Sequence, residues 1–231
     1  MSLPDPMARK YKGEAYGFGF HPGSDEYKVV RIVEYESVVY NYNLDKFEPS
    51  LDQSVEVFTL GGDDWKPKRK NPFWLRMQPC EASVNGALHW FAQAKLFYAQ
   101  IIVGFDLLDE VFRQIPIPHW SLNESNSILM VLGGCLSVVV YSGNYLDIWL
   151  MKEYGVKESW TKEITIRPDI LMDGNYRPLC ILKNGKILLE YANRQLLSYD
   201  PETKNYKKIK IDKLPGEFQE ISHIESIISA L

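Results

Sequence analysis

The chain has 231 residues, 26 Lys plus Arg against 30 Asp plus Glu, a formal net charge of −4 and 45% hydrophobic residues. Plentiful apolar residues at low net charge exclude a disordered chain, and the acidic balance argues against nucleic-acid binding through bulk positive charge. No stretch approaches ~18 consecutive apolar residues and Met1-Ser2-Leu3-Pro4-Asp5-Pro6 lacks the apolar core of a secretory signal, so neither a spanning helix nor a leader is expected.

Taken in order, the chain reads as short strands. Residues 5–12 come first: Asp5-Pro6 is followed after four residues by Tyr11-Lys12, as Asp200-Pro201 is by Tyr206-Lys207. This parallel predicts a partial blade, the outer strand of a unit whose inner strands are not encoded here. A first unit, 16–70, is expected to use strands Tyr16–His21, Tyr27–Val33, Val55–Leu60 and Trp65–Lys70, interrupted by a long insertion at Glu34–Ser54. A second unit, 80–116, is expected to use Cys80–Val84, Gly86–Ala92, Ile101–Asp106 and Val111–Pro116. Units 128–166 and 177–211 follow. Each strand is rich in Val, Ile, Tyr and Phe and bounded by Gly, Pro, Asn or Asp. Phe218–Leu231 is ambiguous, because Ile221, Ile224, Ile227 and Ile228 fit helical spacing while isoleucine also suits strands. It is expected to close the fold as a strand beside Tyr11; if it does not, the open edge should self-associate.

Self-alignment shows a repeat. An aromatic strand, a polar turn and an opening aromatic recur from Phe58 to Trp65, Phe105 to Phe112, Trp149 to Trp160 and Tyr199 to Tyr206. The opening aromatics stand 47, 48 and 46 residues apart. Upstream of the last three lie Gly-containing turns: Asn85-Gly86, Gly133-Gly134 and Asn184-Gly185. Asn-Gly between apolar runs is a strong hairpin signal, because both residues accept positive φ. Four-stranded units of ~40–50 residues predict an all-β, propeller-like array of antiparallel blades in one domain, four units plus the partial fifth. Trp65, Phe112, Trp160 and Tyr206, recurring at blade spacing, are assigned to packing between blades.

Catalytic and metal-binding patterns are absent from the sequence. There is no Gly-x-Ser-x-Gly elbow, His-Glu-x-x-His, P-loop or dinucleotide fingerprint, and His21, His89, His119 and His223 show no ligand spacing. His89 beside Trp90 reads as a packed core histidine. Cys80, Cys135 and Cys180 are odd in number and widely spaced, which suits a reducing compartment, cytoplasm or nucleus, better than a disulfide framework. No enzyme activity, cofactor or metal is therefore expected. The Asn123-Glu124-Ser125 sequon reads as a polar loop. The basic run Lys204–Lys213 alternates with Ile209 and Ile211, the pattern of a strand with one solvated face rather than a nucleic-acid groove.

Candidate recognition residues lie in connections. Tyr35, Tyr40, Tyr42 and Phe47 fall among acids and asparagines in the Glu34–Ser54 insertion, and Trp74 and Trp120 follow prolines between units. Loops on a rigid scaffold often carry binding, and Tyr is enriched in binding surfaces.

Tyr16-Gly17-Phe18-Gly19-Phe20-His21-Pro22, Asp25-Glu26-Tyr27-Lys28-Val29-Val30-Arg31, Val84-Asn85-Gly86-Ala87-Leu88-His89-Trp90, Glu110-Val111-Phe112-Arg113-Gln114-Ile115-Pro116 and Ile148-Trp149-Leu150-Met151-Lys152 run in an order that resembles the plant F-box-associated domain. The resemblance covers roughly 11–231. It implies a kelch-like propeller that recognises a target protein within a Skp–cullin–F-box ubiquitin ligase. The ten residues before Tyr11 do not resemble an F-box, so a Skp adaptor is an expected partner only if an upstream F-box exists. The alternatives are a stand-alone interaction protein and a lectin-like propeller that binds glycans through exposed aromatics. The target itself is not legible.

Overall fold

A computed structural model describes residues 10–41, 45–68, 71–80, 82–94, 100–117, 127–142, 145–167, 176–191 and 195–209. Among these residues there is no α-helix, and four antiparallel sheets follow one another along the chain. Blade 1 holds β1 (Lys10–His21), β2 (Glu26–Asn41), β3 (Lys46–Thr59) and β4 (Lys66–Lys68), ordered as they occur. Blade 2 holds β5 (Phe73–Leu75), β6 (Ala82–Val84), β7 (Ala87–Ala94), β8 (Gln100–Asp106) and β9 (Phe112–Ile115). Blade 3 holds β10 (Ser127–Leu132), β11 (Cys135–Ser142), β12 (Tyr145–Met151) and β13 (Trp160–Ile166). Blade 4 holds β14 (Tyr176–Ile181), β15 (Ile187–Tyr191), β16 (Gln195–Asp200) and β17 (Asn205–Ile209). The fold is all-β and propeller-like.

The alternation of each strand explains the stacking. Successive side chains point to opposite faces of a sheet, so a strand with apolar residues on both parities must be covered twice. In β7, Leu88, Trp90 and Ala92 join Val30, Ile32, Val55 and Val57 in the core between blades 1 and 2. Phe91, of the other parity, joins Ile102, Leu136, Val138 and Trp160 between blades 2 and 3. A third core unites Val139, Ile148 and Leu150 with Ile187, Leu189 and Leu197, between blades 3 and 4. The first strands gather side by side: β1 approaches β7, β6 and β7 approach β10, and β10 approaches β14. At the blade 1–2 contact the approach is close enough to require glycine: a Cβ on Gly17 would lie 2.7 Å from the Trp90 ring. The Asn85-Gly86 turn has φ of 54° and 70°, as the sequence predicts for a tight hairpin.

Several expectations are corrected. Tyr11 does not belong to a separate blade. Strand β1 runs without a turn from Lys10 to His21, with one register shift between Tyr11 and Gly13, and Tyr11 pairs with Tyr35. The unusual length of β2 provides that partner. The Glu34–Ser54 insertion is not a loop outside the repeat but a continuation of the β2–β3 hairpin, in register from Lys28↔Thr59 to Asn41↔Lys46. The first strand of blade 2 comes in two pieces: β6 pairs with β7 at Ala87–His89 and β5 at Ala92–Ala94. Between them the chain leaves β7, and the Cys80 N–H donates to the Tyr16 carbonyl of blade 1 at 2.8 Å. Among the opening aromatics, Phe112 and Trp160 are buried between blades, and the Trp160 indole donates to the Pro116 carbonyl of blade 2 at 2.8 Å. Trp65 instead lies half-exposed on the outer side of blade 1, tilted against Phe58 and under the Arg31 guanidinium. Residues 5–9 and the closing segment 218–231 lie outside the described residues.

Buried ionisable side chains also link the blades. Lys28, buried, donates to the Leu107 carbonyl at 2.7 Å and to Glu110 at 3.0 Å, and Lys68 also pairs with Glu110. Burial alone would raise the Glu110 pKa, but the two lysines hold it below the usual carboxylate value. Between blades 2 and 3, His89 Nδ1 lies 2.9 Å from the Ala82 carbonyl and Nε2 lies 2.8 Å from the Tyr154 hydroxyl. A carbonyl only accepts, so Nδ1 carries the proton and Nε2 accepts from Tyr154. Desolvation pushes His89 down to about 4 and Tyr154 up to about 12.

Candidate functional site

The feature that departs most from the repeat is the arm formed by β2 and β3 beyond the blade. The other blade strands are 3–8 residues long apart from β1, whereas β2 has 16 and β3 has 14. The eight residues of β2 from Glu34 to Asn41 reach on the order of 27 Å at ~3.4 Å per residue. Residues 34–53 carry five acids (Glu34, Glu36, Asp45, Glu48, Asp52) against Lys46, a local net charge of −4.

One side chain fixes the arm to blade 2. The Gln53 amide oxygen accepts the Leu75 N–H at 2.9 Å, and its nitrogen donates to the Leu75 carbonyl at 2.8 Å. The same nitrogen reaches Glu34 at 3.1 Å. Gln53 thus imitates a backbone strand partner for β5. Beside this joint Glu34, Trp74, Leu75, Arg76, Met77, Phe91, Ala92 and Gln93 line a cavity of about 240 Å³. It has an apolar wall of Trp74, Met77 and Phe91 with an acid and a base at its margin.

The arm's free edge resists strand addition. The Gln53 N–H is engaged by the Asp52 carboxylate at 2.9 Å, so it points away from β2. Pro49, of the same parity, has no N–H to offer. An edge blunted at two positions is a poor template for another strand.

The structure separates the candidate residues. Tyr35 is half-buried near the base of the arm, between Tyr11 and Asp52 in register. Tyr40 and Phe47 are cross-strand partners next to the arm's tip. Trp74, expected in a connection, lies in β5 opposite Gln93 and lines the cavity. Tyr42 and Trp120 lie outside the described residues. The structure adds Glu34, Gln53, Arg76 and Phe91, and exposes Leu51, which is 46% accessible on the arm. The signal for Gln53 was present: Phe47, Pro49, Leu51, Gln53, Val55 and Val57 alternate with polar residues, and Gln53 is the one polar member of that row. Among the described residues no group of three or more His, Cys, Asp or Glu is placed to hold a metal ion. No described helix is long and apolar enough to cross a membrane.

With this geometry in place, the sequence matches the F-box associated beta propeller domain over residues 1–230. The chain belongs to that family. Within it the chain is 37% identical to the F-box protein At3g07870 of Arabidopsis thaliana, over 96% of this chain and 61% of that protein. It is 31% identical to the Arabidopsis F-box protein CPR1, over 94% of the chain and 55% of the relative. It is 28% identical to the Arabidopsis F-box/kelch-repeat protein At3g23880, over 77% and 46%. The chain therefore spans about half to three-fifths of the length of these F-box relatives. In family terms, the arm and its cavity are local features of an F-box associated propeller domain.

Proposed function

We propose that this chain is a non-catalytic protein-recognition domain, the target-binding part of a Skp–cullin–F-box ubiquitin ligase subunit. The observation that carries the reading is the arm. A long hairpin, acidic and tyrosine-rich, extends from a stacked-sheet scaffold and is held by Gln53, in a chain of a family whose relatives are F-box proteins. Interfaces concentrate their energy in a few aromatic anchors packed in pockets, and the Trp74 cavity beside the arm offers such a pocket. A Skp adaptor joins through an F-box and not through this domain, so the second partner depends on an F-box on the same polypeptide. A reducing compartment, cytoplasm or nucleus, goes with the reading, since Cys80, Cys135 and Cys180 are free thiols.

The test joins an F-box N-terminally to the chain, reconstitutes the ligase and measures capture and ubiquitination of the bound protein. Changing Tyr40 and Tyr42 together to Ala, and Trp74 separately to Ala, should each remove about 2 kcal/mol or more of binding, roughly 30-fold, with the melting temperature nearly unchanged. Intact capture with a large fall in melting temperature would assign these rings to packing and defeat the proposal. Glycan binding that survives without any protein target would replace it with the lectin reading.

A further inference from the structure

The cavity at the foot of the arm holds two chemistries in one small space. Its wall is apolar, made by Trp74 of β5, Met77 and Phe91 of β7, while Glu34 enters from the arm. Its volume of about 240 Å³ lies below the ~300–1,000 Å³ of pockets that take drug-sized molecules and above the roughly 150 Å³ that accommodates benzene. There is room for one large side chain with a small polar group beside it, and not for a folded element. The Gln53 amide orients Glu34 by donating to Oε2 at 3.1 Å. A carboxylate offers about four acceptor positions, and among the described residues no other hydrogen bond reaches Glu34. An oriented anion with acceptor capacity left therefore lines an apolar space.

The lining also includes one cation, Arg76, so the cavity alone is balanced and the sign of its field comes from its surroundings. Residues 34–53 carry a net charge of −4, and only Glu36 among their acids is paired with a lysine of β1, Lys12 at 3.6 Å. The excess attracts a cation and repels a carboxylate. The site thus suits an ammonium carried directly on the group that fills the apolar space. A lysine inside a chain holds its ammonium at the end of a flexible four-carbon stem, so it and a neighbouring apolar side chain would need two separate subsites. At the amino terminus of a polypeptide the ammonium and the first side chain share one carbon atom. A single cavity with a carboxylate and an apolar wall takes both.

Resting on the reading of this site as the target-binding surface, we propose that the cavity recognises the free amino terminus of a target polypeptide whose first residue is large and apolar. The first side chain packs against Trp74, Met77 and Phe91, and the α-ammonium donates to Glu34. The experiment is fluorescence anisotropy of short labelled peptides with the full 231-residue chain, with melting temperatures as a check on folding. The peptides share an uncharged Ser/Gly body and begin with Phe, Leu, Gly or Asp. Three further probes are the Phe peptide acetylated, an acetylated peptide with Phe-Lys at its middle, and an acetylated peptide ending in a Phe carboxylate. The Phe and Leu peptides should bind at least ~10-fold more tightly than the Gly and Asp peptides. Acetylation should weaken the Phe peptide at least ~10-fold, because it removes the charge and two donors. Glu34→Gln, which keeps an oxygen for Gln53, should weaken the free-amine Phe peptide by a similar factor and leave the acetylated one unchanged. No loss of folding would produce that selectivity. Equal binding of the free and acetylated Phe peptides would overturn the proposal, as would a folded chain that binds neither the Phe nor the Leu peptide. Preference for internal Phe-Lys would overturn it in favour of a basic segment, and preference for the Phe carboxylate in favour of capture by Arg76. If the peptides fail while Trp74→Ala still removes capture of a protein target by the reconstituted ligase, this inference falls and the broader reading stands.

Discussion

His89 shows how a single residue couples burial, tautomer and stability. It is almost fully buried between blades 2 and 3, and its cross-strand neighbour is Gly104, where a Cβ would come within 3.2 Å of the imidazole. The site accepts the neutral ring and no other form comfortably. Its pKa is about 4 in the fold against 6.5 for a free histidine. Between those values the unfolded chain binds more protons than the native one, so stability rises with pH across that window and levels off above it. Acidification from above pH 6.5 to below 4 should therefore cost on the order of 3 kcal/mol through this residue. Chemical denaturation of the wild type and of His89→Gln at several pH values checks this. The variant, though less stable at neutral pH, should lose that part of the acid sensitivity. The sequence read His89 correctly as a packed histidine. Its partner Tyr154, 65 residues away, is visible only once blades 2 and 3 meet.

At the scale of elements, the long hairpin matters most. An isolated two-stranded hairpin is marginal in water, so an arm of this length needs support beyond its own cross-strand pairs. Strand β1 supplies some by pairing up to Glu36, and Gln53 supplies the rest by bonding both backbone groups of Leu75. Gln53→Ala would leave that N–H and carbonyl without their partner. It should cost about 1–3 kcal/mol, and amide exchange should accelerate in residues 34–53 and at Leu75 while blades 3 and 4 keep their protection. Uniform acceleration throughout the chain would show that the joint is part of the global core instead. Composition marked this region as distinct, and the tyrosines singled it out. Reading it as a loop failed because its Asn, Glu and Asp residues, which usually signal turns, here stand in register along two long paired strands.

For the molecule as a whole, the main contacts between sheets among the described residues join blades that follow one another in sequence, and the buried residues fall into three separate clusters. Stability should then be a sum of blade and nearest-neighbour terms, as in repeat proteins. Ile102→Val acts on the interface of blades 2 and 3, and Ile187→Val on that of blades 3 and 4. Each should cost about 0.5–1.5 kcal/mol, and the double variant should cost their sum to within about 0.5 kcal/mol. A larger discrepancy in equilibrium denaturation would mean that the interfaces are coupled through blade 3.

Strand identity, blade spacing and the tight turns follow from local causes, which is why the sequence alone determined them. Alternation sets which strands must be covered on both faces, and Asn85-Gly86 can hardly adopt its φ values in anything but a hairpin. The sequence also determined that Phe112 and Trp160 lie between blades, since a recurring large aromatic on an apolar face needs a partner. It could not decide that Trp65, with the same spacing, would be left half-exposed, because exposure depends on whether a neighbouring sheet exists on that side. Nor could it place Tyr11 in β1, pair Lys28 with Glu110, or bring Trp74, Arg76 and Glu34 around one cavity. Those contacts join residues tens of positions apart, and their pairing is chosen by the geometry of stacked sheets rather than by any pattern along the chain.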